Sequence, residues 1–408
     1  MSTADGSVPQ GPRRAERLID ADNHYYESRD CFTRCIEPGY RERTVRVAPG
    51  DGGRDVVLVG DRPFTFLDDP FSERKVKPGA LRELLRTMGT GSVTQSGAVE
   101  PVQPAYLERE PRLARMDAQG LQAAVLFPTL GVCVEHFLQD DPGLLDASFR
   151  AFNRWLAEDW GFAYRGRIFA APMLSLRDVD RAVVELDRVL GAGARVIGLR
   201  PGPAYGRSPA DPHFDPFWAR VNEARVVVAF HIGESGYNEM LGPFWGEEPN
   251  PSSHRQSAFQ WASFYGDRPI MDTFSALVLH NLFGRFPNVR CLSVENGSLW
   301  VAYLLKVMDK MYGMGRNGPC LGGRLTERPS EVFKRHVYVS PYHEEDIVAL
   351  AGVLGAQRVV FGSDYPHPEG LAEPADFAAA LAPLDPAARE CILSGNTAAL
   401  LGDALAAP

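Results

Sequence analysis

The sequence predicts an α/β protein of the (β/α)8, or TIM-barrel, class, with insertions after strands one and five. Three observations predict it. Short β-branched apolar runs alternate with amphipathic stretches through most of the 408 residues. Eight such runs can be counted, the number that closes a barrel of parallel strands. The first run leads into Asp22-Asn23-His24-Tyr25-Tyr26-Glu27, whereas a doubly wound sheet, the competing architecture, places a Gly-rich phosphate turn there.

Taken in order, residues 1–16 lack the apolar segment of a signal peptide and read as a disordered leader. That leaves 17–408 as a single domain. The expected strands are 18–24, 123–128, 168–174, 196–200, 226–233, 289–296, 336–340 and 359–364. Most are almost continuously hydrophobic, as strands buried on both faces must be. Helical spacing lies between them at 144–164, 179–190, 217–224, 270–286, 299–311 and 344–354, consistent with right-handed crossovers.

Strands one and two are separated by about a hundred residues, far beyond an ordinary connection. The insertion is assigned to about 25–104, with a hairpin at 44–59 turning at Pro49-Gly50-Asp51-Gly52-Gly53. The second insertion, 235–265, is rich in aromatic residues, Gly and Pro. Both begin at carboxyl ends of strands, where barrels build their active sites, so they are lids, pocket walls or dimer contacts. The tail at 385–405 reads as two short helical stretches broken at Gly395-Asn396.

Composition narrows the function classes. A net charge of -9 argues against a nucleic-acid footprint, which needs clustered Lys and Arg. No run reaches the ~18 apolar residues of a membrane span. The six cysteines are scattered, and Cys31 and Cys35 match no zinc or redox spacing. A reduced, cytoplasmic setting and a small-molecule substrate are expected.

Chemistry in a barrel is expected at strand C-termini, so the residues there are the first candidates. Strand one ends in Asp20-Ala21-Asp22-Asn23-His24, strand five in His231, strand six in Glu295-Asn296, and strand eight in Asp364 with His367 beyond. Period-two alternation puts Asp22 and His24 on one face, with Asp20 deeper on the same face. Carboxylates and imidazoles converging from strands one, five and eight suit a divalent cation. The competing reading is a set of satisfied polar core residues.

These motifs resemble the amidohydrolase superfamily, in particular the branch that includes aminocarboxymuconate-semialdehyde and dihydroxybenzoate decarboxylases. The resemblance rests on Ile19-Asp20-Ala21-Asp22-Asn23-His24, Phe230-His231-Ile232-Gly233, the stretch Phe283-Gly284-Arg285-Phe286-Pro287-Asn288-Val289, and Phe361-Gly362-Ser363-Asp364-Tyr365-Pro366-His367. It implies a barrel fold, a homodimer, and a cation held by Asp22, His24, His231 and Asp364. Asp364 would also handle a proton. Where relatives carry a histidine at the end of strand six this chain has Glu295, a second acid–base group, a ligand or an orienter of His231. Binuclear members carry a lysine at strand four. Arg200 stands there instead, which favours a single metal: Zn2+ foremost, with Mn2+ or Fe2+ as alternatives.

The leading expectation is hydrolysis of a small amide, lactone or related carbonyl compound by metal-activated water. Non-oxidative decarboxylation of a hydroxylated aromatic or unsaturated acid is the alternative, and a non-catalytic binding barrel the remote one. Arg200 suits a substrate carboxylate or a structural salt bridge. His367 is assigned to catalysis. Tyr25, His343 and Asn296 are assigned to substrate binding, Tyr25 or Tyr26 as donor to an oxyanion or as packing under the insertion. His136 lines the pocket or a loop, and His280 is a core or interface histidine. The cluster Phe244, Trp245, Phe259, Trp261, Phe264 and Tyr265 walls a pocket or buries itself.

Overall fold

A computed structural model describes residues 17–50, 55–67, 69–88 and 97–406. The expected leader and the hairpin-turn residues Asp51, Gly52 and Gly53 lie outside the described residues. Strand β1 (Leu18–Tyr25) is buried along its whole length. The first insertion follows, with antiparallel β2 (Val45–Pro49), β3 (Asp55–Val59) and β4 (Arg62–Pro63), then the pair β5 (Arg74–Val76) and β6 (Val99–Pro101). The expected hairpin is therefore present, with Val45 opposite Val59.

Parallel strands resume with β7 (Leu121–Pro128) and β8 (Ile168–Ala170), which join β1 in one sheet ordered β1-β7-β8. A second parallel sheet, ordered β12-β11-β10-β9, holds β9 (Val196–Leu199), β10 (Val227–His231), β11 (Arg290–Val294) and β12 (Val337–Val339). The expected eighth strand pairs only through isolated parallel bridges, Val339 to Val359 and Asn23 to Tyr365. It is tied to β1 by Ala21 N–H donating to Phe361 O at 2.8 Å and His24 N–H to Tyr365 O at 2.7 Å. A further bridge, Met173 to Gly198, links the chain after β8 to β9. The architecture is mixed α/β with parallel central strands.

Alternation along the strands divides the core. Ile19, Ala21, Ala123, Val125, Phe127, Val227, Ala229, Leu292, Val294 and Val360 pack into one cluster. Their neighbours Leu18, Ala124, Leu126, Val228, Phe230 and Cys291 pack with the helices in another. A bulge in β1 interrupts the alternation: the register runs from Asp20 opposite Ala124 to Asn23 opposite Leu126, so three steps on β1 answer two on β7. One extra residue reverses which face later side chains take. Asp22 and His24 therefore share the inner side with Ile19 and Ala21, while Asp20 does not, contrary to the expected common parity.

Helices fill the connections. Pro142–Asp159 is capped by the Asp141 side chain accepting from Leu144 N–H, and Val179–Gly191 by Asp178 accepting from Arg181 N–H. The expected helix at 270–286 is two, Asp267–Leu279 and Leu282–Arg285, because Asn281 takes a left-handed backbone at φ 54°. The expected break at Gly395-Asn396 is not a break. Pro386–Glu390 runs through a π-helical turn, Cys391–Gly395, into Asn396–Leu401. Among the described residues no helix is long and apolar enough to cross a membrane, and all six cysteines are free.

Candidate metal centre

The carboxyl ends of β1, β10, β11 and the eighth parallel segment, with His367 just beyond it, bring six side chains together. Asp22, His24, His231 and Glu295 each offer a ligand atom within 4.8 Å of the others, as do His24, Glu295, Asp364 and His367. Nε2 of His24 is central. It lies 3.1 Å from Nε2 of His231, 3.4 Å from Asp22 Oδ1, 3.4 Å from Asp364 Oδ1 and 3.5 Å from Glu295 Oε2. Nε2 of His231 is 3.2 Å from Glu295 Oε2.

Local sequence explains how the side chains arrive. Gly362 lets the eighth segment lie against β1, since a Cβ there would run into the Asp22 Cβ and the Ser340 hydroxyl. Glu295 and Asp364 both sit in the left-handed region, at φ 55° and 54°. Such a backbone costs a residue other than glycine about 1–3 kcal/mol and is retained mostly at functional sites. Asp20, on the far side of the bulge, is locked by Ser363 N–H at 3.0 Å, the Ser363 hydroxyl and Asn23 Nδ2 at 3.0 Å. Arg112, fully buried, donates to Asn23 Oδ1 and to Ala105 O, so a cation braces this layer from outside.

The donor set fits a divalent cation. His231 Nδ1 lies 2.7 Å from Ile232 O; a proton on Nδ1 leaves the Nε2 lone pair facing the cluster. Two imidazole nitrogens and three carboxylates then face one another with no positive group among them. Asp22 Oδ1 is buried without a hydrogen-bond partner, a costly state unless a cation takes it up. The titration behaviour carries the same message. Burial pushes Asp22 up to about 6. Burial, then repulsion from neighbouring carboxylates, holds Glu295 and Asp364 well above the usual carboxylate range. Burial keeps His24 and His231 neutral by pulling both below the ordinary histidine value.

His367 completes the group. Its Nδ1 is 2.7 Å from Asp364 Oδ1, its Nε2 is 3.0 Å from Thr129 Oγ1, and its ring centroid is 4.0 Å from that of His24. Four other residues expected to bind substrate have partners of their own, although Asn296 Oδ1 is left buried without one. Tyr25 points to the opposite side of β1 from His24 and stacks on Trp160 at 5.1 Å, so it is core. Asn296 spends its amide on Phe230 O at 2.9 Å and Val294 O at 2.7 Å, holding β10 to β11. Arg200 is buried against Glu135, Nε to Oε1 3.9 Å, and donates to Ser235 O at 3.1 Å. His343 precedes the helix Ile347–Leu354 and pairs with Glu344 at 3.4 Å on the surface.

His136 has its own carboxylate, with Nε2 2.6 Å from Glu239 Oε2, and His280 Nδ1 is 2.8 Å from Ser208 Oγ. The aromatic insertion divides. Phe264 is buried, whereas Phe244 and Trp245 are 85% and 68% exposed. Sequence reasoning missed Thr129, Arg112 and Lys75. Lys75 stands on β5 over the Tyr26 ring, 4.6 Å from its centroid, and only the pairing inside the insertion brings it there.

The whole chain was then compared with known proteins. The family described as amidohydrolase matches residues 19–402. An amidohydrolase of known structure from Mycobacterium avium subsp. paratuberculosis K-10 is 37% identical, with 95% of this chain and 100% of that chain aligned and a TM-score of 0.85. Two more distant structures share the fold. 5-Carboxyvanillate decarboxylase from Sphingomonas paucimobilis is 19% identical, covering 95% of this chain and 99% of that one at a TM-score of 0.60. A dihydroxybenzoic acid decarboxylase from Polaromonas sp. JS666, solved with manganese and 2-nitroresorcinol, is 16% identical, covering 95% and 97% at 0.57. No curated protein matches.

Proposed function

This chain belongs to the amidohydrolase family, and on that footing we propose that it is a metal-dependent carboxy-lyase. It would remove CO2 without redox chemistry from a hydroxylated aromatic or unsaturated carboxylic acid. The observation that carries the reading is the second donor set, in which Asp364 and His367 form a hydrogen-bonded pair beside His24 and Glu295. Decarboxylation needs an acid next to the substrate, and such a pair holds a proton at a defined place. The distant decarboxylases supply the same direction by analogy.

Asp22, His24 and His231, with Glu295 or Asp364, would hold the ion. A divalent cation there supplies positive charge that anchors and polarises the substrate's oxygens. Manganese is the preferred choice, from the oxygen-rich donors and the manganese in the Polaromonas structure. The Asp364–His367 pair would deliver its proton to the carbon bearing the carboxylate. The C–C bond then breaks, its electrons return to the carbon framework, and CO2 leaves. Thr129 keeps the His367 ring in place.

Hydrolysis is the second reading, and Glu295 favours it: an ionised carboxylate at the end of β11 could accept a proton from an attacking water. CO2 release by the Mn2+-loaded protein across hydroxybenzoic acids, run beside ring or amide opening of lactones and amides, tests the choice. Decarboxylation predicts CO2, and a drop of about 100- to 10,000-fold in its release for His367→Asn. Opening of lactones or amides with no CO2 would overturn it.

The barrel closure is part of the same reading. Three isolated parallel bridges support a closure in which the two parallel sheets would form one ring of eight segments, and residues 17–408 would be one such domain with insertions at about 25–104 and 235–265. The exposed Phe244, Trp245 and Trp261 support a homodimer through the second insertion. A cytoplasmic setting agrees with the free cysteines.

A further inference from the structure

We propose that Lys75, brought in by the first insertion, recognises a second anionic group on the substrate, so that the enzyme takes dicarboxylate-type aromatic acids in preference to monocarboxylates. The inference rests on the carboxy-lyase reading and narrows its substrate class.

The argument starts from how the ammonium is held. Lys75 lies in β5, opposite Glu100 in β6, and is partly buried. Its Nζ donates to Pro70 O at 2.6 Å and sits 4.6 Å from the centroid of the Tyr26 ring. A carbonyl and an aromatic face position a cation without neutralising it. Among the described residues Lys75 enters no ion pair; Asp69 and Glu27 act on it only through space, and burial pulls it down to about 8. Two of its three N–H bonds have no acceptor among the described residues, so an arriving carboxylate gains a charge-assisted hydrogen bond and displaces no partner among them.

Its position points at the site. Tyr26 is nearly buried, with its ring 5.9 Å from that of His367, which is 4.0 Å from that of His24. Lys75 also acts electrostatically on His367. A flat molecule with one carboxylate at the donor cluster would extend along Tyr26 toward this ammonium. Arg200, the residue sequence reasoning offered for that task, is already matched by Glu135.

The test is binding, read apart from turnover. Mn2+-loaded protein is titrated calorimetrically with benzoate, benzene-1,3-dicarboxylate and benzene-1,4-dicarboxylate. The wild type is expected to prefer at least one dicarboxylate more than tenfold over benzoate. Lys75→Met should erase that preference while Mn2+ affinity stays unchanged, and Lys75→Arg should restore it. Lys75→Gln serves if the methionine variant fails to fold. A wild type with no preference, or a preference that survives in the methionine or glutamine variant, overturns the assignment. The outcomes separate from those of the carboxy-lyase reading. A Lys75-dependent preference with no CO2 from any acid sinks the reaction and keeps the site. CO2 release with a Lys75-independent preference does the reverse.

Discussion

Two buried polar clusters lie at the ends of the parallel strands, and they differ in bookkeeping of charge. Around Arg200 each charge has an opposite beside it: Glu135 faces Arg200, takes hydrogen bonds from Tyr205 and Ser175, and His136 meets Glu239. Around His24, three carboxylates and two neutral imidazoles converge with no cation among them. The first arrangement carries its own counter-charge as folded, although Glu135 Oε2 is left without a hydrogen bond. The second is complete only with a guest. Burial alone therefore does not mark a functional site, whereas burial without compensation does.

The sharpest way to break this contrast is to delete one donor from the uncompensated cluster. His231→Ala should lose divalent-cation binding by more than ~100-fold, since loss of an outer partner alone costs ~10–100-fold, and activity should fall with it. Calorimetric titration with Mn2+ checks this, and retained affinity would mean the ion sits elsewhere.

A smaller effect concerns protons. The Asp22 carboxyl, raised by burial from an ordinary 3.8 to about 6, binds a proton in the fold at a pH where an ordinary aspartate has lost it. The cation must displace that proton, so its apparent affinity should fall by up to roughly tenfold per unit as the pH drops through about 6, and the raised carboxyls of Glu295 and Asp364 add to the loss. The histidines are lowered by burial and hold a proton less readily than ordinary imidazoles, so they compete less with the cation. A Mn2+ affinity independent of pH between 4.5 and 7 would remove Asp22 from the ligand set.

The compensated cluster should respond in the opposite sense. Arg200→Leu strands Glu135 and should cost about 3 kcal/mol of folding stability, measured by denaturant unfolding, while Mn2+ affinity changes less than threefold. Adding Glu135→Leu should return most of the stability. Were Mn2+ affinity to collapse in the single variant, the two clusters would not be independent.

Much of this was legible in the sequence. Hydrophobic runs fixed by burial on two faces were found within a few residues, and the donors stood where strand ends put them: His24 after β1's run, His231 closing β10, Asp364 before His367. The misses share a cause. Alternation places Asp20 beside Asp22 only if β1 is regular, and the bulge is a tertiary accommodation that no residue announces. Tyr25 follows His24 in sequence, yet the same alternation sends it to the other face, where Trp155 and Trp160 receive it. The sequence leaves Arg200 open between a substrate carboxylate and a salt bridge because its partner, Glu135, is distant in sequence. Lys75 was invisible, since its reach depends on strand pairing within an irregular insertion.

Asp22 and Asp364 stand near opposite ends of the chain, and β1 accepts its last neighbour only when the segment at Phe361 arrives. During synthesis the early strands must therefore wait with one open edge until the segment at Phe361 has left the ribosome. Ion uptake becomes a late event, and a nascent or truncated chain carries most of the ligands without the means to assemble them.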